Sequence, residues 1–556
     1  MIDSWKTHKV TNQFDELKDY NLFSTDTVMN EYLQHHHLEE YISELKKTGE
    51  VLGTKESFEK GIRCNLYSPT LKAFDRRGNR IDQVEFHPDW HHFMSEAKKT
   101  GLISYAYENN KKGRWVFSAI NFILQSQVEP GALCPATMTQ ASIPLIQKEH
   151  RLWEELQDKL LSREYDERDL PILEKKSIWI GMGMTEKQGG SDVRSNTTVA
   201  KRIDTLNTGY KEFLLTGHKW FFSAPMCDAH LVVARIEDND QLACFYVPRW
   251  KPNNEKNPVE IQRLKEKVGN NSNSSSEVEF RDAWGILIGE EGRGIPTIIE
   301  MATFTRLNCI LGATAIIRQA TTQAYSYALN RMVFGKKLID QPLMRSVLAE
   351  LALENESATL TSLFLADCFE NSETSEISKA FRRTITPAAK YWICKKSIEV
   401  SAEAMEVFGG NGYVNDGIMA RLFKEAPVNS IWEGSGNVMC LDVLRSIKKD
   451  PNDLRLVFKY LKELVINNNK LIQHIDNLEQ WLQDNLDANF EAKARLFTEQ
   501  LILTIQACLM YKYSPKLVFE AFFNSRSNNS KQGHFIGSNT FDIETTEAIL
   551  SRIIHS

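Results

Sequence analysis

Two glycine-containing runs, far apart in the chain, hold the residue types that could do chemistry. The first is Met184-Thr185-Glu186-Lys187-Gln188-Gly189-Gly190-Ser191-Asp192, preceded by Met182 and Gly183. Adjacent glycines carry no Cβ, so the main chain can turn sharply and come close to a flat ligand. Thr185 and Ser191 flank the turn, and each hydroxyl can both donate and accept a hydrogen bond. Such a loop suits a large ring system whose polar edge is met by short side chains and backbone N–H groups. A Gly-Gly pair by itself is equally compatible with an ordinary β-turn. The second run, Ile431-Trp432-Glu433-Gly434-Ser435-Gly436-Asn437, sets a single acid beside a glycine turn. Glu433 could act there as a general base, or as a capping glutamate at a helix start. The two runs together, in this order, are the strongest chemical signal in the chain.

The elements that must position them fall into blocks. Residues 1–175 read as mostly helical. Asp26 is placed to cap a helix through Val28, Tyr32, Leu33, Leu38, Tyr41, Ile42 and Leu45 that ends before Gly49. Trp115 to Leu124 is apolar and long enough for a buried helix. His35-His36-His37 is internal, and adjacent helical residues point about 100° apart, so the three cannot share a metal from a regular helix. They are expected at the surface, and no metal site is expected. Residues 176–293 change to short alternating or apolar runs, such as Leu231-Val232-Val233-Ala234 and Ala243 to Val247, separated by turn-rich segments. This predicts a central β-domain. Helical periodicity returns over 294–448, breaks at Asp450-Pro451-Asn452, and resumes in a helical extension, 449–556. Residues 524–540, rich in Asn, Ser and Gly, are expected to form a mobile loop.

At 556 residues the chain should divide into roughly three or four domains. Its 42% hydrophobic and 25% charged content is that of a globular protein. A net charge of −6 gives no global attraction to nucleic acid or anionic membranes. Nine dispersed cysteines without a C-x-x-C pair read as reduced thiols in a cytoplasmic protein. No run approaches eighteen apolar residues, so no membrane span is expected.

Helix–β–helix order, the Gly-Gly loop and the Trp-Glu-Gly-Ser-Gly turn together resemble the acyl-CoA dehydrogenase family, in its branch linked to bacterial defence against DNA alkylation. Phe86 to His91, Pro135 to Thr139, Gly181 to Val193, Gly217 to Ser223 and Asn429 to Leu444 carry the likeness, which covers roughly the first 450 residues. It implies a mainly α fold with a central β-domain, a bound FAD, and a homotetramer. It places Met182, Gly183, Met184, Thr185, Gly189, Gly190 and Ser191 along the flavin. Phe221, Phe222 and Ser223 join them, Phe221 standing where relatives carry tryptophan and Ser223 where they carry threonine. Strand alternation puts Phe221 and Ser223 on one face and turns Trp220 and Phe222 toward a core. Arg331 and Phe334, in Arg331-Met332-Val333-Phe334-Gly335, match a segment that reaches a neighbouring subunit's dinucleotide, and a guanidinium fork suits pyrophosphate. Gln341 comes one residue earlier than the family spacing. Gly409 and Gly410 form a second close-approach loop, beside Glu406 where relatives have glutamine. Ile431, Trp432, Gly434, Ser435, Gly436 and Asn437 complete the cofactor set.

The resemblance gives Glu433 the role of catalytic base, drawing the α-proton of an acyl thioester while the β-hydrogen leaves as hydride to the flavin. Some relatives carry the base on an earlier helix, at the position matched by Leu307, and leucine takes no proton. Relatives have arginine where this chain has Asn308. Arg306, two residues away, is expected to face nearly the opposite side of its helix. Trp432, where tyrosine is common, adds bulk beside the base. These departures imply a slow enzyme or an altered hydrophobic ligand. The same resemblance raises binding to double-stranded DNA, yet residues 451–556 hold eleven lysines and arginines against twelve acids, a net of −1. Three readings follow: a flavoprotein that protects DNA under alkylation stress, a metabolic acyl-CoA dehydrogenase, or a non-catalytic acyl-ligand or flavin-binding protein.

Overall fold

The computed structural model describes residues 7–203, 208–486, 489–527 and 535–554. Its axis is the helix Gly294–Asn330, 37 residues long and buried on several faces. Leu33, Val116 and Ile123 from the N-terminal block join its core, as do Leu353, Ile393 and Leu501 from helices further along the chain. The helices Pro342–Asn371, Thr386–Val407 and Ile418–Ile431 pack around it. Arg114–Ser126 and Leu133–Gln147 close it from the N-terminal side. The apolar run at Trp115 is thus the buried helix that its composition predicts.

The central β-domain is a small closed sheet. Val199–Ile203 pairs with Glu212–Ser223, which pairs with Ser275–Ile288, then Leu242–Pro248, then Ala229–Ile236. Ala229–Ile236 returns to Val199–Ile203 and also takes Ile180–Gly183 in parallel. Phe213, Leu215, Phe222, Val232, Phe245 and Phe280 fill the interior. The short strand leading into the Gly-Gly loop is therefore held by a neighbour buried on both faces.

Several expectations change. Asp26 does cap a helix, accepting from Met29 N, but that helix ends at His35. His37 takes a left-handed conformation (φ 56°), and a second helix runs Ile42–Leu52, past Gly49. The N-terminal block also holds a hairpin, Thr70–Phe74 with Arg80–Glu85. Its turn was legible: Asp75 Oδ1 accepts from Arg77 N and Asn79 N, and Gly78 adopts φ 84°. Asp82 and Arg80 tie this hairpin to Ile261 of the β-domain. A second hairpin, Met332–Val333 with Lys336–Lys337, interrupts the block read as helical. The break at Asp450 is real, with Asp450 capping Pro451–Leu464. Residues 524–527 close the helix Lys516–Ser527 rather than open a loop. Gly537 N and Asn539 N donate to Glu350, and 528–534 lie outside the described residues. The C-terminal extension is bolted to the bundle through ion pairs of Arg526 with Glu354 and of Arg552 with Glu356.

Candidate active site

A cavity of about 1370 Å³ opens between the β-domain and the bundle, and the two runs meet there. Met182, Met184, Thr185, Gly190 and Ser191 border it from one side, with Phe221 and Ser223 of the strand Glu212–Ser223. Ile431, Trp432, Glu433, Gly434 and Ser435 border it from the bundle. Single-ligand pockets hold about 300–1000 Å³. This volume suits two ligands side by side.

The Gly-Gly loop is built as a cradle. A Cβ at Gly190 would come within 2.6 Å of Thr185 Oγ1, so only glycine leaves that hydroxyl its place. Gly189 adopts φ 134° with nothing within 4 Å of its missing Cβ, leaving open room beside the turn. Beneath the loop, Glu186 and Lys219 form an ion pair at 2.8 Å with both side chains wholly buried. Glu186 also accepts from Thr197 N, Thr198 N and Thr198 Oγ1. Burial would raise its pKa, but the Lys219 charge and these hydrogen bonds outweigh that and hold it well below the usual carboxylate range.

The adjoining strand carries a β-bulge between Lys219 and Phe222 against Ser275–Ile288. One extra residue resets the alternation. Lys219 and Phe222 both turn inward, whereas Phe221 is 55% exposed and meets the cavity. The expected cofactor contact of Phe222 is thereby corrected: its ring stacks on His230 at 4.0 Å inside the β-domain. Trp220, expected in the core, is only half-buried and sits under Lys265 Nζ at 3.8 Å.

Glu433 does not cap the next helix; Ser435 is the residue before Gly436–Lys449. Its backbone is left-handed (φ 59°), a conformation of low population for a residue with a side chain. Two cations hold it. Lys390 Nζ donates to the carbonyls of Trp432 (2.8 Å) and Gly434, and Arg306 Nε donates to the carbonyl of Glu433 itself (3.1 Å). Arg306 is anchored in turn by Asp442 at 2.8 Å. Three consecutive carbonyls are thus gripped by positive charge. The carboxylate Oε2 lies 2.7 Å from Thr305 Oγ1, which lies 3.1 Å from the Ala302 carbonyl, and its one hydrogen serves either. Burial raises the Glu433 pKa, against the Thr305 hydrogen bond and the charges of Arg306 and Lys390. In its deprotonated form a carboxylate so held can accept a proton.

Arg306 corrects a further expectation. Ile295, Ile299, Ala302, Arg306 and Cys309 recur at helical spacing along the cavity wall, so Arg306 lies on the site's own stripe. Asn308 borders the cavity too, with its amide on Gln140 Oε1 (3.0 Å). Leu307 is buried and takes no part.

Other residues of the expected set lie outside the cavity wall. Gly183 is a packing glycine, since a Cβ there would fall 2.6 Å from the Phe222 ring. A Cβ at Gly436 would press on Lys395 and Tyr391, and Asn437 Oδ1 accepts from Arg495 of the C-terminal extension. Arg331, Phe334, Gly409 and Gly410 are not in the cavity wall, and their two segments are linked through Asn12 and Gln13. Arg331 donates to the carbonyl of Asn12, and Asn411 to Gln13. Phe334 is 95% exposed with φ 52°. Gln341 Nε2 donates to Val333 O and so braces this hairpin. Glu406 is exposed to solvent.

Lys390, Arg306 and the Glu186–Lys219 pair are site residues that pattern alone did not find. Lys390 sits in the second turn of Thr386–Val407 in no motif, and its length is what lets it reach the loop.

Comparison with known proteins matches three family models in order: the adaptive response protein AidB N-terminal domain over 12–167, the acyl-CoA dehydrogenase middle domain over 181–283, and its C-terminal domain over 292–448. The chain is 42% identical to AidB of Escherichia coli (strain K12) over 93% of its length and 94% of that protein. Caenorhabditis elegans ACDH-11, solved with C11-CoA, superposes with a TM-score of 0.83 at 25% identity, over 99% of this chain and 94% of that one. A Bacillus anthracis acyl-CoA dehydrogenase complexed with FAD shares the fold (TM-score 0.69, 16% identity, 97% and 98% covered).

Proposed function

The chain belongs to the acyl-CoA dehydrogenase family, alongside AidB, and on that premise we propose that it is an FAD-dependent dehydrogenase of acyl thioesters with Glu433 as its base. The observation that carries this is that one cavity is bordered by the pinned Glu433, by a glycine loop with two hydroxyls, and by the Phe221 ring, which is 55% exposed with Lys265 Nζ over it at 4.7 Å.

The residues fit FAD. Thr185 and Ser191 offer hydroxyls to a polar ring edge, Gly189 and Gly190 leave the main chain bare, and Phe221 offers an open face for stacking. Bound there, FAD supplies the acceptor for the hydride that leaves the β-carbon. Glu433 removes the α-proton onto its carboxylate. Lys390 and Arg306, by holding the backbone of the turn at 432–434, keep the carboxylate aimed. The anaerobic test is direct: titration with straight-chain acyl-CoA thioesters should bleach the yellow protein. A colourless preparation that refuses added FAD would end this reading.

Lys390→Met is expected to slow bleaching by about 100-fold, because an error of about 1 Å in a reacting group costs that much. Binding of the thioester should change far less than the rate. Stopped-flow reduction with a separate equilibrium titration checks the split; equal losses in both would make Lys390 merely structural.

A homotetramer completes the cofactor site. The Arg331 hairpin, with an exposed phenylalanine at its tip, presents a guanidinium to the pyrophosphate of a second copy. Arg331→Ala should weaken FAD retention by about 10- to 100-fold, the worth of a charged hydrogen bond. FAD dialysis against the sedimented mass checks it, and full retention in a tetramer would remove Arg331 from the site. The nine free cysteines fit a reducing, cytoplasmic setting. Protection of DNA during alkylation stress is the second reading, favoured by the likeness to AidB; retention of duplex DNA that weakens steeply with salt is its test.

A further inference from the structure

One part of the cavity wall is polar where a plain alkyl chain would want it apolar. Ser126 is 1% exposed, borders the cavity, and its Oγ has no hydrogen-bond partner. Asn429 is 5% exposed, borders the same cavity, and its amide makes no hydrogen bond with any described residue. The two converge at Gly312 of the long helix. A Cβ built there would stand 3.5 and 3.6 Å from the Asn429 amide atoms and 3.7 Å from Ser126 Oγ. Glycine at 312 therefore puts no side chain over the Asn429 amide, and Ser126 Oγ lies closed off just behind it.

Their position relative to the base is set by helix geometry. Thr305, which contacts Glu433, and Gly312 are seven residues apart and share a helix face. Seven residues rise roughly 10 Å, the reach of a medium-length acyl chain. A methylene pressed against buried, unpaired donors and acceptors forfeits their hydrogen bonds, whereas a ligand group that pairs with them does not. Serine and asparagine each both donate and accept, so a hydroxyl, a carbonyl or an amide would serve.

We propose that Asn429, backed by Ser126 and left without a covering side chain at Gly312, selects acyl thioesters that carry a hydrogen-bonding group several carbons beyond the reacting bond. This rests on the acyl-thioester reading of the site. The test compares octanoyl-CoA with a set of hydroxyoctanoyl-CoAs whose hydroxyl sits on successive carbons beyond the β-position. Binding to the FAD-loaded protein is measured by calorimetry, and flavin bleaching is followed in parallel. The wild type should prefer at least one hydroxylated member by roughly 10- to 100-fold. Asn429→Leu should collapse that ratio. Gly312→Ala should collapse it too, since its methyl covers the Asn429 amide at ordinary contact distance, while the melting temperature holds or rises because alanine suits a helix interior better. A wild type that binds octanoyl-CoA as tightly as every hydroxylated member would overturn the proposal. So would a ratio that survives both variants. Octanoyl-CoA that bleaches the flavin without discrimination would leave the dehydrogenase reading standing and remove only this one; if no thioester binds the FAD-loaded protein, both fall.

Discussion

Glu433→Gln should yield a protein that stays yellow when acyl-CoA is added anaerobically, its reduction slowed by about 10²- to 10⁴-fold, the range supplied by a positioned base. Glutamine keeps the size of the side chain and can still meet Thr305 Oγ1, so FAD and thioester should remain bound. What is lost is the place for the α-proton. The pH profile supplies a second signature. The base works only when deprotonated, and burial raises the Glu433 pKa above the ordinary carboxylate value. The wild-type rate should therefore climb with pH through an apparent pKa above 4.5, and that limb should vanish in the variant. Stopped-flow reduction across pH checks both. Bleaching at an undiminished rate in Glu433→Gln would move the base elsewhere.

The largest expected loss of stability follows from the cradle's foundation. Glu186→Ala leaves the Lys219 ammonium buried with only the Val233 carbonyl, 2.8 Å away, as partner. Breaking a buried pair on one side costs about 3–5 kcal/mol. The loop carrying Thr185 and Ser191 should loosen with it, and FAD should wash out. Denaturant unfolding and FAD retention measure the two effects. Adding Lys219→Met to Glu186→Ala should restore much of the stability, since the uncompensated charge is then gone. A single variant as stable as the wild type would show that the pair is not what holds the loop. The pH sign is plain. The Glu186 pKa is depressed, so its contribution is complete above the unfolded carboxylate value and is lost only as pH falls through the lower folded value.

Sequence legibility followed how local each cause was. The Gly189-Gly190 turn, the Asp26 cap and the break at Pro451 depend on a few neighbouring residues, and each could be read directly. Glu433 stood out as an acid between glycine turns, but its reading as a base came from the family resemblance, and a capping role stayed open until Ser435 was placed before the helix. The bulge after Lys219 was not, because it depends on the register of a partner strand 55 or so residues away; it turned Trp220 outward against simple alternation. Arg306 was placed on the wrong side because position 308 served as the reference, whereas the cavity follows the stripe through Ala302 and Cys309. Lys390, Ser126 and Asn429 sit in helices whose pattern speaks only of burial. Their roles come from what the tertiary fold brings against them.

A crystal structure of the protein with FAD and a non-reactive acyl-CoA analogue would locate the flavin, the acyl chain and Glu433 together. The isoalloxazine ring should lie against Phe221 and the Thr185–Ser191 loop, with the analogue's α-carbon between that ring and the Glu433 carboxylate. A flavin seated elsewhere, or Glu433 turned away from the α-carbon, would contradict the proposed function.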